Sequence, residues 1–294
     1  MSPAGAERVG AMTRPRPIVD GHIHLWDPTV LAYPWLEADA TLRRPFLPVD
    51  LQQSGVPAQW VMVQAEALPE QSLAEVRWVS GLAVSEPALR GMVVRAPVET
   101  GRAVSDHLEQ IAAYPLTVGV RRLIQDEPSG FARKASFIEG VRTVGEFGLP
   151  FDICVRAAER EDAAPLVDAC PGVNFVLDHL GKPDIAGGEW EPWRDQLADL
   201  ARRPNVVCKL SGSTSEAGPG WHYDTVRPYL EHALDSFGAM RCMFGSDWPV
   251  ATLTTAYRRW FDLVTDVVAG CSESEIDAVF AGTAQRVYGL SVHS

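Results

Sequence analysis

The sequence predicts a (β/α)8 TIM barrel, an α/β fold made as a single domain. Two observations predict it: eight short apolar runs alternate with longer stretches of helical period, and the runs end on polar residues. The length of 294 residues suits one such barrel.

The expected strands are IVDGHIHL (18–25), QWVMVQAE (59–66), GMVVRAP (91–97), TVGVRRLI (117–124), PFDICV (150–155), VNFVLDH (173–179), NVVCKL (205–210) and RCMFGSD (241–247). They are rich in Val, Ile and Phe and show little alternation with polar residues, as strands covered on both faces do. Helical patterns fill the gaps, among them 70–87, 137–148, 193–204 and 223–238. The last, 272–290, starts at an N-cap on Ser272 or Ser274 and ends before Gly289. Residues 1–16 read as a flexible tail and 17–294 as the barrel. The polar stretch SGSTSEAGPGWHYD (211–224) reads as a long loop after strand seven, where a barrel can carry a lid.

Active sites of this fold lie where the strands end. There the sequence places His22 and His24, Gln64 and Glu66, Arg95, Arg121 and Arg122, Asp152 and Arg156, His179, Lys209 and Asp247. Residues i and i+2 of a strand share a face, so His22 and His24 both point into the mouth. Two imidazoles there can hold a metal or polarise a substrate carbonyl. Asp247, costly to bury without a partner, is the expected acid/base. His179 joins it on strand six, with Asp178 as a structural partner. Lys209, a residue rarely placed on an inward strand face, is expected to meet substrate, the alternative being a salt bridge. Arg121 is expected inward and Arg122 outward. Gln64 and Glu66 suit hydroxyl recognition or bracing of the mouth. Trp26, Trp35 and Trp248 flank these motifs and suit stacking on a sugar ring or wall packing.

The formal net charge of −12 counts against a nucleic-acid partner. Five cysteines, an odd number with no CxxC pair, indicate a reducing compartment, read as the cytoplasm. No apolar run reaches the ~18 residues of a membrane span, and the N-terminus lacks the apolar stretch of a signal peptide.

The ordered motifs DGHIHLWDP with YPWL, VQAEA, GVRRLIQDEP, LPFDIC, LDHLGKP, CKLSG and MFGSDWPV resemble the amidohydrolase superfamily from about Ile18 to Tyr288. They are most similar to its amidohydrolase-related lactonase branch, which includes enzymes acting on L-fuconolactone, L-rhamnonolactone, 4-sulfomuconolactone and 2-pyrone-4,6-dicarboxylate. The resemblance implies a barrel that opens a lactone ring by acid/base attack of water, with His22, His24, His179 and Asp247 as catalytic residues. The sugar-lactone members are the better match. Binuclear members of the superfamily bridge two metals with a strand-four lysine or glutamate. Here strand four offers arginines and strand five no histidine, so no metal is expected to be required; a single zinc on His22, His24, His179 and Asp247 is the alternative. Three rival functions are a metal-dependent decarboxylase of the same superfamily, a metal-dependent phosphodiesterase or nuclease on this fold, against which the acidic composition counts, and a non-catalytic ligand-binding barrel. The expected partner is a small lactone, with no nucleic acid or membrane.

Overall fold

The computed structural model describes residues 16–291. The expected tail therefore lies outside the described residues except for Arg16, whose guanidinium pairs with Glu273 and Asp277. Eight parallel strands follow one another in chain order: β1 Val19–Ile23, β2 Gln59–Val63, β3 Leu89–Arg95, β4 Thr117–Arg121, β5 Phe151–Ile153, β6 Phe175–Leu177, β7 Val206–Leu210 and β8 Cys242–Phe244. Seven fall within the runs expected from sequence, and β3 begins two residues before its run, at Leu89. The seam between β8 and β1 is closed just beyond the strands, where Asp247 N–H donates to His22 O at 2.8 Å and His24 N–H donates to Trp248 O at 2.7 Å.

The helices are α1 Pro48–Gln52, α2 Ser72–Ala83, α3 Ser105–Ala112, α4 Ala135–Glu146, α5 Ala163–Ala169, α6 Trp193–Ala201, α7 Ser213–Ala217, α8 Tyr223–Phe237, α9 Tyr257–Val267, α10 Glu273–Asp277 and α11 Thr283–Val287. The expected final helix is real but interrupted: a π-helical turn, Ala278–Gly282, separates α10 from α11. Ser272 is its N-cap, in a reciprocal capping box with Glu275. No described helix is long and apolar enough to cross a membrane.

Strand alternation divides the apolar residues into two layers. Ile23, Met62, Val94, Val120, Phe151, Phe175 and Phe244 pack outward against the helices. Val19, Val61, Val63, Val93, Val176, Val207 and Met243 fill the barrel, where Ala281, Ala284 and Tyr288 from the C-terminal segment meet them and close the end opposite the site. Removing such side chains from water supplies roughly 1.5–3 kcal/mol each, which holds the strand ends in fixed positions.

One irregularity decides where the first motif points. Asp20 pairs with Trp60 but Ile23 pairs with Met62, so β1 spends three steps against two on β2. Val19 faces inward before this bulge, and a regular strand would send His22 and His24 toward the helices. The extra residue resets the alternation, turning Ile23 out and both histidines in. The carboxylate of Asp20 takes up the amides stranded there, accepting from His22 N–H at 3.1 Å and from Ser246 N–H at 2.9 Å. Burial pushes its carboxyl up to about 6.

The polar stretch 211–224 is not the open lid expected from its composition. Ser211, Ser213, Thr214 and Trp221 are buried, and residues 213–217 form α7. Gly212 makes this packing possible. Its φ is +67°, and a Cβ there would stand 2.6 Å from Nδ1 of His179. Gly212→Ala is therefore expected to displace His179 and depress kcat more than it lowers Tm. Unchanged kinetics in that variant would show that the contact is slack.

Candidate active site

His22, His24, His179 and Asp247 converge at the mouth. Oδ1 of Asp247 lies 3.4 Å from His24 Nε2, 3.8 Å from His22 Nε2 and 4.0 Å from His179 Nε2. The two strand-one imidazoles approach Nε2 to Nε2 at 3.2 Å. Three side chains at this end, Glu66, His179 and Asp247, come from residues with positive φ of 52–58°, a conformation that L-residues adopt at some cost and that aims a side chain from a strand end.

The hydrogen-bond roles follow from the partners. His24 Nδ1 lies 2.7 Å from the carbonyl oxygen of Val63, which only accepts, so Nδ1 donates and Nε2 offers a lone pair. His22 Nδ1 faces Asp178 Oδ1 at 3.3 Å and Lys209 Nζ at 3.2 Å. Burial, reinforced by Lys209, holds the His22 imidazole well below its ordinary pKa. Burial likewise brings His179 down to about 4 against the pull of Asp247 and Asp178. His179 Nδ1 shares a hydrogen bond of 2.9 Å with Ser211 Oγ. Burial opposes the charge on Asp247, but the surrounding imidazoles, His179 foremost, outweigh it and keep the carboxyl below the ordinary carboxylate range. The centre is thus a carboxylate facing three imidazole nitrogens, of which His24 Nε2 accepts, a setting that suits a water molecule or a cation.

A divalent ion fits this donor set. Two ligands at about 2.0–2.1 Å from one tetrahedral zinc stand roughly 3.3–3.4 Å apart. The His22–His24 and His24–Asp247 spacings match that, and the donor atoms of His22, His179 and Asp247 all lie within 4.8 Å of one another.

Below the cage sits a buried layer of ion pairs. Lys209 Nζ lies 2.6 Å from Asp152 Oδ2 and 3.0 Å from Asp178 Oδ1, and Asp178 Oδ2 lies 3.3 Å from Arg121. Tyr288 donates its hydroxyl to Asp152 at 2.8 Å. The structure corrects the expectation for Lys209. It is 0% exposed and held between two carboxylates, the salt-bridge alternative, and its ammonium lies against His22 Nδ1. Arg121 does turn inward, as expected, but its charge is shared with Asp178 and its NH2 donates to Gln64 O at 2.9 Å. Arg122 turns away and pairs with Glu99 and Glu127.

Gln64 is also corrected. It follows outward-facing Met62 by two residues, and its amide is taken up by Ser72 O, Glu75 and the Arg95 N–H in the helix layer. Trp26 is 0% exposed, with its indole N–H on Leu42 O and Arg44 O, so it is wall and not a stacking face. Trp248 is buried edge-on against Phe46. Trp35, 37% exposed and tied to Ala65 O at 2.7 Å, is the aromatic that remains accessible beside Glu66. Glu66 keeps one oxygen without a hydrogen bond. Ser211, Gln125, Cys154 and Lys182 were not singled out from the sequence but connect to His179, Ser211 directly and the others through Cys154, whose sulfur lies within 4.8 Å of a His179 ring nitrogen. Ser211 follows Lys209 by two residues, a spacing that pointed to it. A separate cavity of about 350 Å³ between α5 and α6 is lined by Leu177, Leu180, Leu197 and Leu200 and holds none of the catalytic candidates.

Known proteins are similar to this chain along most of its length. An L-fucono-1,5-lactonase of Burkholderia multivorans is 32% identical over 92% of this chain and 96% of its own length. An L-rhamnono-gamma-lactonase of Scheffersomyces stipitis is 21% identical over 69% of each chain. The crystal structure of a Burkholderia multivorans amidohydrolase with bound zinc superimposes with a TM-score of 0.82 at 30% identity, covering 94% of this chain and all of that one. The family model described as Amidohydrolase matches residues 19–290, from the first residue of β1 to the end of the segment that plugs the barrel, and the chain belongs to that family.

Proposed function

We propose that the protein hydrolyses the ring ester of a small lactone, and that the substrate is a monosaccharide lactone. The observation that carries this reading is the carboxyl group of Asp247, set among three imidazole nitrogens within 4.0 Å at the open end of the barrel. The similarity to lactonases along the whole chain supports it.

The acceptor cage orients a water, with one proton toward Asp247 Oδ1 and the other toward the lone pair of His24 Nε2. As the water oxygen bonds to the carbonyl carbon, Asp247 takes its proton and the C=O electron pair moves onto oxygen. His179 Nε2–H donates to that oxyanion when its Nδ1 accepts the hydrogen bond of the Ser211 hydroxyl. The bond from carbon to ring oxygen then breaks, and Asp247 returns its proton to the ring oxygen. Lactone and water become a hydroxy acid, which loses its proton to solvent. Glu66 and Trp35 are placed to meet ring hydroxyls and a ring face. Where an ion is bound by His22, His24, His179 and Asp247, it supplies Lewis-acid polarisation and a more acidic water.

Proton release measured across a panel of lactones tests the reading. Aldonolactones are expected to turn over faster than pyrone dicarboxylates, because Arg95 and Arg121 already share the charge of Glu66 and Asp178. The opposite ranking overturns the sugar-lactone assignment. Lactones are activated esters, so a carboxylate base with oriented donors suffices. Activity is expected to persist after chelation to below ~0.1 equivalent of metal, confirmed by elemental analysis. Activity that disappears and returns with zinc or manganese contradicts this and favours a metal-dependent reaction.

A further inference from the structure

Lactone hydrolysis develops one negative charge, first on the carbonyl oxygen and then on the product carboxylate. Most cations near the mouth are already neutralised. Lys209 is enclosed between Asp152 and Asp178, Arg121 shares Asp178 and Glu66, Arg95 pairs with Glu66, and Arg156 lies near Asp126 and Glu216.

Lys182 differs. It is half-buried, its ammonium donates to Gln125 Oε1 at 2.6 Å, and among the described residues no carboxylate oxygen lies within 4.0 Å of it, the charge of Glu216 acting on it only from beyond that distance. An ammonium carries three N–H donors, so two remain. Its backbone is fixed relative to the catalytic candidates. His179, Leu180, Gly181 and Lys182 are four successive residues with φ of 49–71°, and Lys182 N–H closes the turn on His179 O at 2.8 Å. Gln125 Oε1 also accepts the Cys154 thiol at 3.3 Å, and the Cys154 sulfur lies within 4.8 Å of a His179 ring nitrogen. One amide and one thiol thus separate the ammonium from the imidazole that faces Asp247. On the opposite side, His24 Nε2 and Asp247 are acceptors that suit the water, not the oxyanion.

From this arrangement we infer that Lys182 is the cation that receives the lactone carbonyl oxygen and holds the product carboxylate. The inference rests on the lactonase reading of the site.

The test compares wild type, Lys182→Met, Lys182→Arg and Gln125→Leu in aldonolactone turnover and in calorimetric binding of the matching aldonate and the uncharged alditol. Lys182→Met is expected to lose on the order of 10²-fold in kcat, the scale of one lost oxyanion donor. Its aldonate binding should weaken about tenfold or more, with alditol binding changed by less than about twofold. Lys182→Arg should recover most of the aldonate affinity. Gln125→Leu removes the brace but leaves the ammonium, and should keep the preference for aldonate over alditol. Equal weakening of aldonate and alditol in Lys182→Met, or lost preference in Gln125→Leu, makes Lys182 a brace and overturns the inference. Wild type that hydrolyses lactones alongside an unimpaired Lys182→Met sinks the role of Lys182 alone. Lys182-dependent aldonate binding without any lactone hydrolysis supports the anion site and sinks the lactonase reading.

Discussion

Asp247→Asn is expected to fold as wild type does and to lose at least ~10²-fold in kcat, the lower range for removing a general base. The geometry makes the fold part of the expectation firm. The position has φ of 58°, which Asn accepts readily, and the backbone bond from residue 247 N–H to His22 O does not involve the side chain. The amide nitrogen can donate to the His24 lone pair, so the cage keeps its shape while losing its proton acceptor. Among the described residues no other carboxylate occupies the cage: Asp178 and Asp152 lie beneath it in ion pairs. Turnover near that of wild type in steady-state assays would remove Asp247 from the mechanism.

Lys209→Met is expected to act on the fold first. It removes the one ammonium between Asp152 and Asp178 and leaves two carboxylates buried, a change that typically costs about 3–5 kcal/mol. Asp152 is the more exposed to that loss. Burial already pushes its carboxyl up to about 6 although Lys209 and the Tyr288 hydroxyl hold it down. Urea unfolding is the measurement. Combining Lys209→Met with Asp152→Asn should recover part of the deficit, because one orphaned charge is gone. A lysine that met substrate would instead raise KM and leave the unfolding midpoint unchanged, and that result would return Lys209 to the binding surface.

These two residues show what the sequence made legible. A polar side chain at the end of an apolar run marks the right end of the barrel, and in this way His22, His24, His179 and Asp247 could be named. Depth and partnership are not written in a single run. Lys209 stands two residues before Ser211 on the same face, yet one is sealed below the imidazoles and the other touches His179. Gln64 was misplaced because both faces of β2 are apolar: Trp60 and Met62 could have lined the barrel as readily as Val61 and Val63. Trp26 was misread because an indole beside a histidine motif looks the same whether it faces solvent or Phe46. Lys182 was passed over because it lies in a turn past the strand, where left-handed backbone folds it back onto His179 O.

Moving this site to another scaffold would mean moving an irregularity along with it. Copied onto an evenly paired strand, the segment from Val19 to His24 would deliver its two imidazoles to the helices. The transferable unit is longer than a three-letter motif: it includes the surplus residue and the Asp20 carboxylate that satisfies the displaced amides. Removing Gly21 from the natural chain should do the reverse of a successful graft, straightening the strand and emptying the mouth of its first two imidazoles.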